Sequence, residues 1–581
     1  MTSTIPRIYL YGLLLTSLIT FGSARAEQID IVSSRFTNVG QYQALLPGSL
    51  PLQQIMGVVP PAVRDARKLK TVETDKVLSL TIALKLNEED ELEELLQDLY
   101  DPNSSKYHQF LTQDQFANRF SPTLEQVASV KKFMESNGME VESVDPNRLL
   151  IQVKGRVETI NRVFHTQLWY YSSENLENLL FHAPAYELQI EENLPIQGVY
   201  GLDDALRAHH HSVRRAIGAD GDIEATGTGP NKGFAPSDIR TAYSIPSNLT
   251  GSGQTLGLLE LAGYKASDIT AYENYFKLPK VTLQNVFIDG ATGSTTDDEV
   301  TLDIELMAAV APGAQKILVY IGKNTGKSFI NILNKMATDN IAKSISCSWG
   351  SAETTMSSSS AQTENNIFRQ MAAQGQAFYS AAGDDGAYDD SKTLSVDDPG
   401  SQPYVVSVGG TRLKTNSNGT YASETTWNKN NTANGGAGGG GISKFWTIPT
   451  WQQGVISSSS KGSTKMRNVP DVSLNADPNT GYSIYADGSW TIYGGTSCSA
   501  PLWAAYSALV NQQRASKNLS PLGFPNPSLY QIGKSSSYNT DFHDIKDGST
   551  NIYYPAVTGY DDATGWGSFI GSSLVQDLSL K

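Results

Sequence analysis

A serine with small neighbours near the end of the chain is the first candidate for chemistry. The stretch GGTSCSAP, residues 494–501, places Ser497 after two glycines and a threonine, and small residues lead from it to a proline. A serine hydroxyl is a weak nucleophile until a neighbouring base accepts its proton. The stretch therefore raises the question of which residue acts as that base.

Histidine is the usual base for such a serine, but the histidines lie in the wrong places. The stretch around Ser497 is similar to the nucleophile loop of subtilisin-like peptidases, where a helix begins at the serine and the activating histidine precedes it. Of the seven histidines, His543 alone lies beyond residue 211, and it follows Ser497 along the chain. An ordinary Ser-His-Asp triad is therefore not predicted. A subtilisin with an unusual histidine stays an alternative, and it would work best near neutral pH.

Two carboxyl groups offer a replacement for the histidine. Glu299 and Asp303 are four residues apart in TTDDEVTLDIELMAAVAPGA, residues 295–314, a pattern that predicts a helix ending near Pro312. At this spacing the two side chains share one helix face and can share a proton. The apolar residues that follow predict partial burial, where two close carboxyls do not both ionise readily. Such a pair can act as base and orienting group, but the spacing alone also fits acidic side chains that face water at a helix start.

A third carboxyl group lies at the end of an apolar strand. AFYSAAGDDG, residues 377–386, carries Asp384 where a subtilisin has the asparagine of its oxyanion hole. A protonated Asp384 can donate the hydrogen bond that the asparagine gives, but only in acid. The alternative is an aspartate that caps the turn after the strand.

The elements beyond residue 238 must hold these groups in place. Short apolar runs such as QTLGLLEL, KILVYI and AFYSAAG are continuous rather than alternating, and helical stretches separate them. This pattern predicts a mostly parallel sheet with helices on both faces, where functional groups gather at the carboxyl ends of the strands. We therefore expect an α/β catalytic domain over residues 238–581.

The preceding part of the chain has a different pattern. LNEEDELEELLQDLYDP and SPTLEQVASVKKFMESNGM predict two helices, VETINRVFHTQLWYY predicts a helix followed by a strand, and short alternating runs such as RLLIQVKG predict further strands. Together they predict an α+β domain within residues 27–205, with its core at about 70–205. Residues 206–237 then predict a flexible linker that contains a processing site.

The first residues carry a targeting signal. Arg7, the apolar run over residues 8–21 and the small residues Ala24 and Ala26 are typical of a signal peptide, residues 1–26, cleaved after Ala26. The run is shorter than the roughly 20 residues that span a bilayer. We therefore expect a secreted, extracellular protein without a membrane anchor.

The net charge limits which partners the protein can bind, and the cysteine content limits how disulfides can stabilise it. The net charge of −15 disfavours nucleic acids and anionic membranes as partners, and we expect a monomer. The two cysteines, Cys347 and Cys498, form no disulfide framework. We interpret them as small buried side chains, although their spacing leaves a pairing open.

These residues together resemble the sedolisin family of serine-carboxyl peptidases, and most of all its kumamolisin-like members with their propeptide. The resemblance covers nearly the whole chain after the signal peptide. It rests on GGTSCSAP with Ser497, DDEVTLDIE with Glu299 and Asp303, and AAGDDG with Asp384. VPDVSLNADPNTGY, GGAGGGGISKFWTIPTWQ and, in the N-terminal domain, YDPNSSKYHQFLTQDQFANRFSPT add to it.

The resemblance implies a zymogen whose propeptide acts as intramolecular inhibitor and folding aid and is removed in acid. Ser497 is implied as nucleophile and Glu299 as the base that takes its proton. Asp303 is implied to orient Glu299, and Asp384 to stabilise the oxyanion together with the Ser497 N–H. The substrates are then proteins and peptides.

Further residues are assigned by the resemblance alone. Glu260 in LLEL and Trp349 in SCSWG match a glutamate and a tryptophan that extend the hydrogen bonds of the acidic pair. A structural Ca²⁺ ion is implied near the C-terminus, held by the side chains of Asp544 and Asp561 and the carbonyls of Ile545, Val557 and Gly559. Two acidic turns in water are the alternative on spacing alone.

We therefore expect a secreted, acid-acting serine endopeptidase made as a zymogen. A tripeptidyl-peptidase of the same family and an inactive peptide-binding relative stay alternatives, and the side-chain preference at the cleavage site is open. A secreted glycosidase could also use paired carboxylates, but it would need neither GGTSCSAP nor Asp384.

Overall fold

The computed structural model describes residues 52–173, 179–190, 194–205, 207–215, 227–428 and 435–580. The predicted signal peptide, residues 1–26, lies outside these ranges. Within them, none of the helices combines the length and hydrophobicity that crossing a membrane requires.

The N-terminal domain has the α+β composition that the sequence predicts. Its largest sheet is antiparallel, with the strands Glu140–Val144, Leu150–Arg156, Val77–Leu84 and Ile196–Tyr200 in spatial order. Two smaller antiparallel sheets contain Arg67–Thr71, Leu168–Ser173 and Leu179–Pro184 in one and Gln53–Ile55 and Leu188–Ile190 in the other. The described helices are Glu89–Tyr100, Gln113–Phe120, Leu124–Ser136 and Val157–Val163.

One of these helices, Gln113–Phe120, was not predicted from apolar spacing. Its start is stabilised by Thr112, whose hydroxyl accepts a hydrogen bond from the Gln115 N–H at 3.2 Å. In return the Gln115 side chain accepts one from the Thr112 N–H at 2.8 Å. This reciprocal capping can stabilise a short helix whose apolar stripe is too brief to recognise.

A central sheet of eight strands organises the C-terminal part of the chain. Seven run parallel, and Tyr421–Thr426 pairs antiparallel at one end. The parallel strands in spatial order are Leu283–Phe287, Lys316–Ile321, Thr255–Glu260, Ser344–Cys347, Ala377–Ala381, Val406–Thr415 and Val472–Asn475. The middle strands are buried along their length, as strands covered on both faces are. The predicted α/β fold class is confirmed.

Helices and short strands surround this sheet. The described helices of this part are Pro236–Ala242, Ala266–Phe276, Asp298–Val310, Gly326–Asp339, Ser358–Ala373, Thr496–Ser516, Asn526–Gly533, Tyr538–Asp541 and Gly571–Asp577. The remaining strands are His209–His210, Val213–Arg214, Trp349–Ala352, Asp397–Asp398, Gly441–Thr447, Met466–Val469, Tyr482–Ala486, Ser489–Gly494, Phe542–His543 and Ser568–Phe569. Asp298–Val310 and Thr496–Ser516 pack against each other, which brings the two candidate motifs together.

The N-terminal domain packs on the helices of the sheet domain. The Tyr100 hydroxyl donates to the Ala372 carbonyl at 2.7 Å and accepts from the Phe524 N–H at 2.9 Å. Arg369 forms an ion pair with Glu89 at 2.9 Å. Apolar residues of the helix that ends at Tyr100 belong to the same hydrophobic core as the central sheet. The two domains therefore share buried surface as well as a covalent link.

A flexible linker is predicted over residues 206–237, of which residues 206 and 216–226 lie outside the described ranges, and part of the remainder forms strands. His209–His210 pairs antiparallel with the strand Trp349–Ala352, and Val213–Arg214 pairs antiparallel with Ser489–Gly494. The exposed edges of those strands offer unpaired backbone groups, and an extended segment satisfies them. Residues 207–215, here called the cleft segment, therefore lie between two strands of the sheet domain.

Candidate active site

Ser497 lies in the first turn of the helix Thr496–Ser516, against the cleft segment. Its backbone N–H donates a hydrogen bond to the carbonyl oxygen of His211 at 2.9 Å. Gly495, just before the helix, has a φ of 100°, and a Cβ there would collide with the same carbonyl oxygen. Glycine supplies both the backbone angle and the space. A peptide carbonyl thus lies beside the serine, at the start of a helix whose dipole favours negative charge.

Glu299 is fully buried at the start of the helix Asp298–Val310. Its N–H donates to the Asp297 side chain at 3.0 Å, which caps the helix and fixes the position of Glu299. Burial raises the pKa of Glu299, while His210 and the hydroxyls of Ser212 and Ser497 partly offset the rise. Ser497 Oγ has no hydrogen bond of normal geometry with the described residues, but it is near enough to the Glu299 carboxyl to lower its pKa.

Asp303 lies one helical turn after Glu299, as the four-residue spacing predicts, and is also fully buried. The described residues include no direct hydrogen bond between the two carboxyls. Instead Asp303 Oδ1 lies 2.9 Å from Ser348 Oγ, which is 3.4 Å from the Ser497 carbonyl. Burial raises the pKa of Asp303 well above its usual range, and the charges of Glu260 and Glu299 add to the rise. This environment favours a protonated Asp303.

Glu260 and Trp349 adjoin this carboxyl group. Trp349 Nε1 donates to Glu260 Oε2 at 2.9 Å, and Glu260 is fully buried at the end of its strand. Burial raises the pKa of Glu260 well above its usual range. The structure therefore groups three buried carboxyls, Glu260, Asp303 and Glu299, behind Ser497.

Asp384 follows the strand Ala377–Ala381 and reaches the other side of the His211 carbonyl. Its Oδ1 accepts hydrogen bonds from the Thr496 N–H at 2.8 Å and from the Thr496 hydroxyl at 2.9 Å. Its buried Oδ2 has no partner among the described residues, and it borders the point where a Cβ of Gly495 would stand, as the His211 oxygen does. Burial raises the pKa of Asp384 to about 7, although His211 and Thr496 oppose the shift.

The His211 side chain lies among several aspartates, a contact that the sequence did not predict. Its Nε2 lies 3.2 Å from Asp397 Oδ2. Burial lowers the pKa of His211, but Asp397, Asp384 and Asp389 outweigh it and raise the pKa to about 10. The cleft segment therefore presents a cationic side chain next to the carbonyl that faces Ser497.

The neighbouring His210 contacts the candidate base. Its Nδ1 lies 3.4 Å from Glu299 Oε2 and 3.1 Å from the Ser212 hydroxyl. His543, the histidine considered for a subtilisin-type triad, instead stacks on Tyr421 with a ring separation of 3.4 Å. The histidines beside the site therefore belong to the cleft segment and not to the sheet domain.

The two cysteines are buried and unpaired, as favoured from the sequence. The Cys347 thiol donates to the Trp349 carbonyl at 3.1 Å. Burial raises the pKa of Cys498 well above its usual range, so its thiolate is scarce beside Ser497.

The residues assigned to Ca²⁺ lie in two adjoining C-terminal loops. The Val557 N–H donates to Asp561 Oδ2 at 2.7 Å, and the Gly559 N–H donates to Asp544 Oδ1 at 3.1 Å. Asp544 Oδ2 is buried without a hydrogen bond, although Lys546 Nζ is 3.2 Å away.

The donor atoms of these loops suit a hard cation. The carbonyls of Ile545, Val557 and Gly559 accept no hydrogen bond from other described residues. Carbonyl and carboxylate oxygens are the ligands that Ca²⁺ prefers. Among the described residues, no cluster of three or more acidic, histidine or cysteine side chains forms a metal site, whereas this set contains only two such side chains. The residues present fit the ion.

Two family matches cover most of the chain. Residues 64–205 match the family described as Pro-kumamolisin, activation domain, and residues 290–527 match the Subtilase family. The first match falls on the N-terminal domain and the second on the sheet domain with Ser497.

Individual relatives match over most of their length. Kumamolisin from Bacillus sp. (strain MN-32) is 34% identical over 529 residues, which cover 87% of this chain and 92% of the relative. Sedolisin from Pseudomonas sp. (strain 101) is 33% identical, with 87% and 88% covered. The solved structure of Pseudomonas sedolisin, a serine-carboxyl proteinase complexed with two molecules of pseudo-iodotyrostatin, is 32% identical. It has a TM-score of 0.53 and covers 59% of this chain and 97% of that chain. The chain therefore belongs to the sedolisin family of serine-carboxyl peptidases.

Proposed function

We propose that this peptidase is a secreted, acid-acting serine endopeptidase whose zymogen cuts its own chain between His211 and Ser212. The observation that carries the proposal is the 2.9 Å hydrogen bond from the Ser497 N–H to the His211 carbonyl. An oxyanion hole holds the carbonyl that the nucleophile attacks. The cleft segment forms a strand pairing on each side of that carbonyl, and this extended conformation supports its role as a bound substrate.

The proposed reaction is acyl transfer to Ser497. Ser497 Oγ attacks the carbonyl carbon while Glu299 accepts its proton, and the developing oxyanion is bound by the Ser497 N–H and a protonated Asp384. Glu299 then gives the proton to the leaving amine of Ser212, the C–N bond breaks, and an acyl-enzyme remains. Water attacks the acyl-enzyme by the same route, again with Glu299 as base.

Asp303 is proposed to orient Glu299 through its protonated form. A neutral Asp303 can donate a hydrogen bond toward the ionised Glu299, and Glu260 with Trp349 limits how Asp303 can turn. The histidine of a subtilisin-type triad is not needed, because a buried carboxyl with a raised pKa is a competent base in acid.

The cycle requires two opposite ionisation states, which restricts it to acid. Glu299 must be ionised, and its pKa is raised by burial. Asp384 must be protonated, and burial raises its pKa to about 7. The rate should therefore rise as Glu299 ionises and fall as Asp384 ionises.

The self-cleavage is tested on purified zymogen that is transferred from neutral pH to acid. The expected products are one fragment that ends at His211 and one that begins at Ser212, identified by intact mass. The rate should be first order and independent of protein concentration, since the bond lies in the same chain as the nucleophile.

Ser497→Ala should leave the zymogen folded and uncut. Ser499→Ala is the matched control, because its hydroxyl donates to the Leu474 carbonyl at 3.1 Å and does not contact the cleft segment. Self-cleavage of purified Ser497→Ala at the wild-type rate would show that the nucleophile is wrongly assigned. A wild-type cut only at other bonds would overturn the assignment of His211–Ser212.

The remaining parts of the proposal concern export and a structural ion. The signal peptide predicted over residues 1–26 supports secretion into the extracellular space, where the monomeric zymogen is proposed to meet peptide substrates. Ca²⁺ is proposed to bind the loops of Asp544 and Asp561 and to stabilise the sheet domain by linking them. The ion takes no part in the chemistry at Ser497.

A further inference from the structure

The cleft segment continues for more than three residues before the proposed cut. With His211 as the residue whose carbonyl is attacked, His209 is the third residue and Ala208 the fourth before the scissile bond. The residues on the N-terminal side of His209 form hydrogen bonds with the sheet domain. The Arg207 carbonyl accepts one from the Ser351 hydroxyl at 3.2 Å, and Arg207 Nη1 donates to the Asn324 carbonyl at 3.0 Å.

Asn324 binds the backbone of the fourth residue in both directions. The Ala208 N–H donates to Asn324 Oδ1 at 2.9 Å, and Asn324 Nδ2 donates to the Ala208 carbonyl at 2.8 Å. A side-chain amide carries one acceptor and a donor pair, so it can pair with both groups of a single residue. The contact uses no side-chain atom of Ala208, and any residue except proline offers the same N–H and C=O.

The turn that carries Asn324 is fixed by a strand before it and a helix after it. It follows the strand Lys316–Ile321 and precedes the helix Gly326–Asp339, at the carboxyl edge of the sheet where substrates of such folds bind. The Thr325 hydroxyl caps that helix by accepting from the Ser328 N–H at 3.2 Å. The amide is therefore presented from a fixed backbone.

We propose that Asn324 forms the subsite for the fourth residue before the scissile bond and thereby favours internal cleavage over release of N-terminal tripeptides. The assignment rests on the proposed function, because the count starts from the carbonyl at Ser497. A substrate that begins three residues before the cut has no N–H and C=O for Asn324. A longer chain gains two hydrogen bonds there.

Three peptides with the sequence of the cleft segment test this on the mature enzyme. One is HHHSVRR with a free amino group, the second is HHHSVRR with an acetylated amino group, and the third is acetylated AHHHSVRR. Two hydrogen bonds to the backbone should raise kcat/KM of the longest peptide about tenfold over the free heptapeptide. The acetylated heptapeptide carries a carbonyl where Ala208 has one but lacks the N–H, so its kcat/KM should lie between the other two. Equal or faster cleavage of the free heptapeptide would overturn the proposal.

Variants locate the effect at the amide. In Asn324→Ala the advantage of the longest peptide over the free heptapeptide should fall to about twofold or less, while kcat/KM of the free heptapeptide stays near wild type. Asn324→Asp keeps the acceptor and loses the donor, so it should retain part of the advantage. Lys323→Ala, an exposed neighbour in the same turn, should retain all of it. An unchanged advantage in Asn324→Ala would refute the assignment.

A change in the substrate provides a test that does not depend on how the variants fold. N-methylation of the alanine nitrogen in acetylated AHHHSVRR removes the N–H that binds Asn324. It should lower kcat/KM several-fold in wild type and leave Asn324→Ala unaffected; equal losses in both would count against Asn324. Absence of any cut at His-Ser in all three peptides would contradict the proposed function itself, whereas cleavage without a length effect would contradict only the role of Asn324.

Discussion

The pH dependence of self-cleavage isolates the role proposed for Asp384. In the zymogen the carbonyl of the proposed scissile bond already contacts the Ser497 N–H, so the rate reports the ionisation states of the bound complex. A protonated Asp384 can donate Oδ2–H to the oxyanion, whereas an ionised one repels it. Burial raises the pKa of Asp384 to about 7, so the donor is present below that pH and is lost above it.

The size of the effect follows from this pKa. At about pH 8, one unit above it, about one molecule in eleven keeps the proton, so the rate should fall about tenfold below its acid plateau. Asp384→Asn keeps a donor of similar shape that does not ionise. Its plateau should lie below that of wild type, within the 10²–10³-fold that loss of a whole oxyanion donor costs, but its rate should not fall between about pH 6 and pH 8.

The assay is the first-order loss of full-length zymogen, measured by gel densitometry and intact mass over a pH series. Asp385→Asn is the matched control, because this neighbour accepts no hydrogen bond from Thr496 and the fall with pH should persist in it. A wild-type rate that stays level or rises from about pH 6 to pH 8 would refute the reasoning. So would an Asp384→Asn variant that shows the wild-type fall.

Two stability predictions follow from other parts of the fold. Exhaustive chelation should lower the melting temperature by several degrees, because Ca²⁺ at about 100 times its Kd contributes about 2.7 kcal/mol to stability. Asp544→Asn should remove this response, whereas Asp547→Asn, at an exposed position, should keep it. An unchanged melting temperature, with no calcium found by elemental analysis, would dismiss the site. Burial also raises the pKa of Asp398, which shares a buried site with the carboxyl of Glu364, so the protonated form stabilises the fold in acid, and the free energy of unfolding should fall as the pH rises from about 4 to 7. Asp398→Asn should lose that part of the fall in denaturant titrations of the uncut Ser497→Ala zymogen, and equal slopes in both proteins would contradict it.

The fold class was predictable because its signal is local. Continuous apolar runs separated by helices indicate a parallel sheet without any knowledge of which strands are neighbours. The spatial order of the strands is not in that signal, since Thr255–Glu260 lies between two strands that follow it in the chain. Apolar spacing also fails for short helices. The apolar stripe of Gln113–Phe120 was too short to recognise, and only its capping residues indicated a helix.

The candidate site was predictable to the extent that short motifs carry it. Glu299 and Asp303 share a helix, and Gly495 precedes Ser497, so local spacing suffices for these pairs. The contact of Asp303 with Ser348 could not be foreseen, because it depends on how a helix packs beside a strand end 45 residues away. The same holds for Asn324, whose partner Ala208 is 116 residues distant and whose turn carries no motif.

The cleft segment, residues 207–215 of the predicted linker, departs most from the prediction, and its composition explains why. A run of three histidines next to arginines and small residues is typical of an exposed connection, and nothing in the run itself favours a strand. Its extended structure comes from its partners. Its backbone pairs with the edges of two strands, and the His211 side chain forms an ion pair with Asp397. Extended structure in this segment is therefore imposed by the surrounding domain.

The carboxyl of Asp384 accounts for both parts of the proposed behaviour, a zymogen that is silent at neutral pH and activated in acid. The cleft segment already lies with its carbonyl against the Ser497 N–H, so binding is not the step that holds the reaction back. Above about pH 7 an ionised Asp384 faces the oxygen on which negative charge must develop, and the proposed oxyanion hole has lost one of its donors. Protonation replaces that repulsion with a hydrogen bond. Because Asp384 Oδ1 stays fixed by Thr496, the proton is added to an oxygen that is already in position.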